Sequence, residues 1–423
     1  MKKVLFFIFT VFLVVEVSTA NTLVPLAKVD TTTCLRSDSV FVHYLRKEKI
    51  SLTSDNNLQI FSSARNKFTA LFKDIKAAKK HIHLEYFNFR NDSIANLLFE
   101  ILTLKAEEGV KVRVIFDAFG NSSNNKPLKN SFLKRLRRKG IEIYKFDPID
   151  FPYINHVFHR DHRKIVVIDG LIAYTGGMNV ADYYINGLPK IGPWHDMHVR
   201  IVGSAVHGLQ QMFLEMWEKC TKETVPNNRF FPFPLYSADS LSKTIAVVDR
   251  TPRITPARMR RAYVKAIDAA RYKIQLVNPY FLPTTTVRHA IKRAIDRGVK
   301  VEIMFSSKSD VVFVPDGMSY LANSLMKRGA NIYLYQGGFH HSKIMMVDDL
   351  FCTVGSSNLN SRSLRFDYEV NVFVFDPAAT AHLTTIFERD KQHCILFDRN
   401  TWHDKTLLKR FWGWFANLFT PIL

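Results

Sequence analysis

Two stretches of this chain carry the same chemically useful side chains at the same spacing. His162, Lys164 and Asp169 form H-x-K-x4-D and are followed by Gly176-Gly177-Met178-Asn179. His341, Lys343 and Asp348 repeat the pattern and are followed by Gly355-Ser356-Ser357-Asn358. Asn stands 17 residues after His in both copies, 162 to 179 and 341 to 358. One H-x-K-x4-D arises by chance in roughly one chain in twenty of this composition, so a single copy would say little. Indeed His403-Asp404-Lys405 begins the same way and fails, with Arg410 where Asp belongs. Two full copies with matched Gly and Asn are a different matter.

These residue types suit group transfer at phosphorus. A neutral imidazole is a competent nucleophile, an imidazolium is a competent acid toward an alkoxide, and histidine titrates near pH ~6.5. Two histidines on opposite sides of one phosphorus can divide those roles. Side chains i and i+2 on a strand share a face, so His and Lys of each motif should project together. Lys164, Lys343, Asn179 and Asn358 would then surround phosphate oxygens with charge and amide donors and stabilise the trigonal-bipyramidal state. No metal or other cofactor is expected, since the lysines supply that charge. Asp169 and Asp348 complete the two catalytic sets, but at strand ends five residues past the lysines they read as structural. Each histidine also needs a carboxylate to fix its tautomer. Asp196, in Trp194-His195-Asp196-Met197-His198, and Glu369, in Asp367-Tyr368-Glu369-Val370-Asn371, occupy matched places and are the histidine-orienting candidates.

The surrounding elements repeat as well. Glu108-Gly109-Val110-Lys111-Val112 matches Arg297-Gly298-Val299-Lys300-Val301, and Arg138-Lys139-Gly140-Ile141 matches Lys327-Arg328-Gly329-Ala330, both at an offset of 189 residues (109 to 298, 140 to 329). The runs 81–87, 110–116 and 141–146 are short, β-branched and aromatic, as buried strands are. Between them 94–108 and 128–139 have helical spacing, and Gly109, Gly140, Gly298 and Gly329 stand where helices would end. Alternating β and α units imply an α/β fold. A repeat this long is a duplicated domain rather than a solenoid. The expected organisation is a leader at 1–20, an extension at 21–55, a first domain at 56–223, a linker at 224–256, a second domain at 257–400 and a tail at 401–423. Each domain should be a mixed sheet flanked by helices, the two related by a pseudo-twofold with the site between them.

Composition bounds the partners. Among 423 residues, 59 Lys and Arg face 38 Asp and Glu, a formal charge of +21, which favours an anionic partner such as phospholipid or nucleic acid. Lys2 and Lys3, then an apolar core from Val4 to Val15, then Ser18 and Ala20 before Asn21, follow the layout of a secretory leader, either cleaved or kept as a short anchor. The body is therefore expected to be exported. Cys34, Cys220, Cys352 and Cys394 are not spaced as metal ligands; an exported chain could pair them in three ways, though Cys352 in its apolar run reads as a buried free thiol. The tail gathers Leu407, Leu408, Phe411, Trp412, Trp414, Phe415, Leu418 and Phe419 among Lys405, Lys409 and Arg410. Such an amphipathic helix suits a bilayer interface, the competing reading being a helix packed on the protein itself.

The paired motifs over residues 60 to 400 resemble the phospholipase D superfamily. His162 to Gly170, Tyr174 to Asn179, His83-Leu84-Glu85-Tyr86-Phe87, Gly355 to Ser363 and Asn278-Pro279-Tyr280-Phe281-Leu282-Pro283 look like its bacterial cardiolipin synthase branch. The resemblance implies a covalent phosphatidyl-histidine. It also implies that the first-motif histidine, His162, is the nucleophile and that two phosphatidylglycerols become cardiolipin and glycerol at the outer or periplasmic face of a bacterial membrane. The partners implied are an anionic phospholipid and the membrane surface, with nucleic acid less favoured and the oligomeric state open. A secreted phospholipase D making phosphatidic acid, a nuclease of the same superfamily and a non-enzymatic basic binding protein are the competing readings.

Overall fold

The computed structural model describes residues 39–148, 158–225, 230–232, 242–311 and 314–418. The leader at 1–20 and Cys34 lie outside them. Among the described residues seventeen strands form in chain order. The first half holds β1 (Leu52–Phe61), β2 (His81–Tyr86), β3 (Lys111–Asp117), β4 (Glu142–Phe146), β5 (Lys164–Ile168), β6 (Ile172–Gly176), β7 (Trp194–His195) and β8 (His198–Gly203). The second half holds β9 (Lys243–Arg250), β10 (Lys273–Val277), β11 (Lys300–Ser306), β12 (Asn331–Tyr335), β13 (Phe339–His340), β14 (Ile344–Val347), β15 (Phe351–Gly355), β16 (Glu369–Phe375) and β17 (Cys394–Leu396).

Fifteen of these strands make one mixed sheet in the order β17-β12-β11-β10-β14-β15-β16-β9-β1-β8-β6-β5-β2-β3-β4. Read outward from the β1–β9 junction, the order is 1-8-6-5-2-3-4 on one side and 9-16-15-14-10-11-12 on the other, where β17 adds one more strand at the edge. The same topology is thus laid down twice, and the two copies meet edge to edge at an antiparallel pair. In each copy the first three repeated strands run parallel (β2–β3–β4 and β10–β11–β12), and the motif hairpin adds antiparallel to the first of them. The helices Ser93–Glu107, Asn130–Arg138, Thr285–Asp296 and Val314–Met326 lie where the spacing predicts them or their counterparts. Gly109, Gly140, Gly298 and Gly329 follow these four helices at φ of +89°, +85°, +84° and +113°, where a side chain on Cα would be strained.

Both motif strands are buried along their whole length. Ile165 and Val167 of β5 share one apolar cluster with Ile344 and Met346 of β14, together with Val199, Val370, Leu209 and Leu383. One core therefore belongs to both halves, and each such side chain contributes about 1.5–3 kcal/mol on burial. Arg163 adds a polar tie: fully buried, it donates from Nη2 to Thr251 Oγ1 at 2.7 Å, across the halves.

Two expectations need correction. Residues 224–256 are not simply a linker, because β9 within them pairs with both β1 and β16 near the middle of the sheet. Ile245, Ala246 and Val248 are fully buried there, which is the physical reason the segment is a strand. The extension 21–55 likewise contributes structure: β1 begins inside it, and the helix Ser39–Lys47 seats Phe41 against Phe351 and Phe373 of the second half. Cys220, Cys352 and Cys394 are free thiols, Cys352 buried.

Among the described residues no helix is long and apolar enough to cross a membrane. The terminal helix Leu407–Leu418 packs against Val314–Met326 through Gly413, where an added Cβ would lie 2.6 Å from the Asp316 carbonyl oxygen. Its other side leaves Leu407 80% and Phe411 51% exposed, with Leu408 and Leu418 beside them.

Candidate active site

The strand that carries each motif is tied to the opposite half just before its histidine. The His162 N–H donates to the Tyr368 carbonyl at 3.0 Å, and the His341 N–H donates to the His195 carbonyl at 2.6 Å. Tyr368 directly precedes Glu369, and His195 directly precedes Asp196. The backbone thus sets each imidazole beside the carboxylate of the other half. His162 Nδ1 lies 3.0 Å from Glu369 Oε1, and His341 Nδ1 lies 2.7 Å from Asp196 Oδ2. The two candidates identified from matched places each lie within hydrogen-bond distance of a histidine, and the pairing is crosswise.

The two carboxylates are supported differently. Ser356 Oγ donates to Glu369 Oε2. Its counterpart in the first copy is Gly177, where a Cβ would come within 2.1 Å of Asp196 Oδ1. The longer Glu takes a hydroxyl partner, while the shorter Asp needs the room of a glycine and accepts the Met197 N–H at 2.8 Å. Burial pushes Asp196 up to about 6. Burial also raises Glu369, but His162, Lys164 and Ser356 outweigh it and hold the carboxyl below the usual range.

Both imidazoles line one cavity of about 480 Å³, with Asn179 and Asn358 on the same wall. Lys164 and Lys343 do not reach that wall. They lie behind the rings, fully buried, with Lys164 Nζ donating to the His162 carbonyl at 2.7 Å and Lys343 Nζ to that of His341. Burial lowers Lys164 to about 7 and Lys343 to about 8. It also lowers His162 and, more strongly, His341, each pushed further by the lysine of its own motif. Burial and the lysine charges thus favour the neutral form of both rings. Asn179 and Asn358 are buried, and the carbonyl oxygen of each side chain has no hydrogen-bond partner among the described residues.

Asp169 and Asp348 are elsewhere. Five residues of strand put them roughly 16 Å from the lysine end. Asp169 accepts the N–H groups of Lys79, Lys80 and His81 at 2.7–2.9 Å, and Asp348 those of Arg271, Tyr272 and Lys273 at the same distances. Both sit at positive φ, +54° and +51°. They clamp the starts of β2 and β10 to the motif hairpins, so their place among the catalytic six is corrected to a structural one.

Sequence reasoning missed several cavity residues. Tyr280 and Trp194 have ring centroids 6.0 and 5.4 Å from that of His341, and Phe87 lies 5.1 Å from His162. Asp310 and Arg362 also line the cavity. Tyr280 and Arg362 stand inside phrases quoted for their resemblance, which was the available signal. Asp310 lies in the connection after β11, where the matching place in the first copy holds Asn121.

Comparison with known proteins follows this geometry. The family described as cardiolipin synthase, PLD-like domain, matches residues 71–217 and 263–391. A cardiolipin synthase of Oceanobacillus iheyensis is 35% identical over 386 residues, covering 91% of this chain and 79% of that protein. The major cardiolipin synthase ClsA of Bacillus subtilis is 34% identical over 380 residues, covering 88% and 76%. Among solved structures, a phosphatidylserine synthase of Haemophilus influenzae Rd KW20 superposes with a TM-score of 0.66 at 14% identity, over 92% of this chain and 100% of that one, a likeness of fold. With two matched segments that each hold one motif, and relatives aligned over most of their length, this chain belongs to the cardiolipin synthase family of phospholipase D-like proteins.

Proposed function

We propose that this chain is a phosphatidyltransferase that joins two phosphatidylglycerols into cardiolipin and releases glycerol. The observation that carries the reading is the pair of crosswise, carboxylate-held imidazoles on one cavity, in a chain whose relatives are named cardiolipin synthases. In the first step His162 Nε2 attacks phosphorus, the bond to the glycerol oxygen breaks, and that oxygen takes a proton from His341. In the second step the hydroxyl of another phosphatidylglycerol gives its proton to His341 and its oxygen to phosphorus, and the P–N bond breaks. The incoming phosphodiester raises the proton affinity of every cation around it, which supplies the proton that His341 needs. Glu369 and Asp196 stabilise the imidazolium that forms at His162 or His341. Lys164 and Lys343 hold charge beneath the phosphate. Asn179 donates from Nδ2 to the Tyr184 hydroxyl at 3.2 Å; if Tyr184 donates to the amide oxygen instead, that NH₂ is released for a phosphate oxygen.

The exposed apolar side of Leu407–Leu418, flanked by Lys409 and Arg410 on a chain of charge +21, suits docking on an anionic membrane surface. We place the enzyme on the outer face of a bacterial membrane. That part of the reading rests on the residues of the leader alone.

The test is analysis of lipids after incubating the purified chain with labelled phosphatidylglycerol vesicles. Cardiolipin and free glycerol are expected in equal amounts, with losses of at least 10³-fold in His162→Ala and His341→Ala. Phosphatidic acid alone would move the assignment to a hydrolase. Cleavage of oligonucleotides with no turnover of lipid would make it a nuclease.

A further inference from the structure

The two ends of the cavity differ although the fold that builds them is duplicated. Around His341 the wall is aromatic, with Trp194 at 5.4 Å, Tyr280 at 6.0 Å and Tyr184 at 6.4 Å between ring centroids. Around His162 the lining includes Asn88, Ser123, Asn124 and Ser363, with Phe87 the nearby ring. Two carboxylates are in the lining: Asp367, which is ion-paired to Arg362 Nε at 3.1 Å, and Asp310, at the aromatic end. Asp310 lines the cavity and accepts a hydrogen bond from the Tyr280 hydroxyl to Oδ1 at 2.7 Å. Its Oδ2 accepts no hydrogen bond among the described residues. Its charge acts on His341 and Lys343, opposing the fall in their proton affinity.

An acid is out of place in a cavity built for a phosphodiester. An ionised phosphate is only an acceptor of hydrogen bonds, so a carboxylate beside it gains nothing from it and repels it. A carboxylate does gain from an alcohol, whose O–H donates. In-line displacement fixes where that alcohol lies: the leaving and entering oxygens occupy the side of phosphorus away from the nucleophile. With His162 attacking, that side is the His341 end, where Asp310 and the aromatic faces are.

We infer that Asp310, held by Tyr280 beside the Trp194 face, is a polyol subsite that reads the glycerol unit of both the leaving group and the acceptor lipid. The carboxylate accepts the hydroxyl vicinal to the reacting oxygen, and the rings pack on the carbon chain. One subsite serves both half-reactions, because the alcohol expelled in the first and admitted in the second carries the same unit. The inference rests on the transferase reading above and on His162 as nucleophile. It adds what that reading leaves open, the feature that selects the acceptor.

The experiment is a competition. The full chain is incubated with phosphatidylglycerol vesicles and equal concentrations of deuterated glycerol and 1-propanol, and labelled phosphatidylglycerol and phosphatidylpropanol are counted by mass spectrometry. The readout is a ratio of two products from one reaction, so loss of folded enzyme cancels. The wild-type chain should favour glycerol by about tenfold or more, the scale of one hydrogen bond to a charged group. Asp310→Ala should bring the ratio to within about twofold of unity. Tyr280→Phe, which removes only the hydroxyl that positions Asp310, should move it the same way by about threefold. A wild-type ratio near one, or a ratio unchanged in Asp310→Ala, overturns the subsite while leaving phosphatidyl transfer intact. Failure of the wild-type chain to transfer to either alcohol overturns the transferase reading and the subsite with it.

Discussion

At the scale of single residues, the buried lysines make a testable statement about protons. Burial puts Lys164 at about 7 and Lys343 at about 8. An oxyanion in the cavity favours their charged forms and raises both. Below pH ~6 both are already protonated and binding moves no proton onto them; through pH 7–9 each must be protonated as the anion arrives. Affinity therefore falls as pH rises, by up to about tenfold per unit for each proton taken up. The inhibition constant of tungstate, whose own charge is constant from pH ~6 to 9, should climb across that range; a flat profile from 6 to 9 refutes the placement of these charges. The motif residues themselves were legible because they occur twice. Their wiring was not: Asp196 and Glu369 align with each other, and that alignment says nothing about which imidazole each one holds. The exchange of Gly177 for Ser356 carries the missing information, but only once the distance from Gly177 to Asp196 is known. Asp310 escaped notice because its matching place in the first copy holds Asn121, so the repeat does not mark it.

At the scale of elements, the strands and the glycines that end the helices could be read from local chemistry, since burial on both faces selects β-branched runs and positive φ selects glycine. β9 could not, because Lys243–Arg250 follows a stretch rich in Pro, Phe and Asn that looks like a loop, and its partners β1 and β16 are far away in sequence. The terminal helix was legible as amphipathic, but not which of its two readings would hold. It does both things, lying on Val314–Met326 along Gly413 and presenting apolar side chains outward. Leu407→Ser, Leu408→Ser, Phe411→Ser and Leu418→Ser combined should cut flotation with phosphatidylglycerol vesicles by at least about tenfold, each substitution removing apolar area from the bilayer boundary. The circular dichroism of the protein should be retained, since these side chains face away from the core. Undiminished flotation would show that another surface meets the lipid.

At the scale of the whole molecule, the seam decides how the chain unfolds. A continuous sheet runs through β1 and β9, the helix Ser39–Lys47 of the first half is seated in the core of the second, and one apolar cluster draws on both motif strands. Neither copy can open without exposing surface of the other. Thermal unfolding of the chain should accordingly be one transition, with the same midpoint by near-ultraviolet and far-ultraviolet circular dichroism, despite a length that ordinarily holds two or more independent domains. Two transitions separated by more than about 5 °C would show that the copies are only neighbours. Duplication was legible in the sequence; fusion into one folding unit was not, because β1 and β9, which join the two sheets into one, lie outside the repeated phrases. The crosswise carboxylates also govern how such a gene can be recombined. A hybrid joined after the helix ending at Thr221 would inherit Gly177 with its Asp196 from one parent and Ser356 with its Glu369 from the other, yet it would present every imidazole with a foreign acid. Parents whose acids differ in length would yield offspring with two misaligned rings, so the copies are obliged to drift in step.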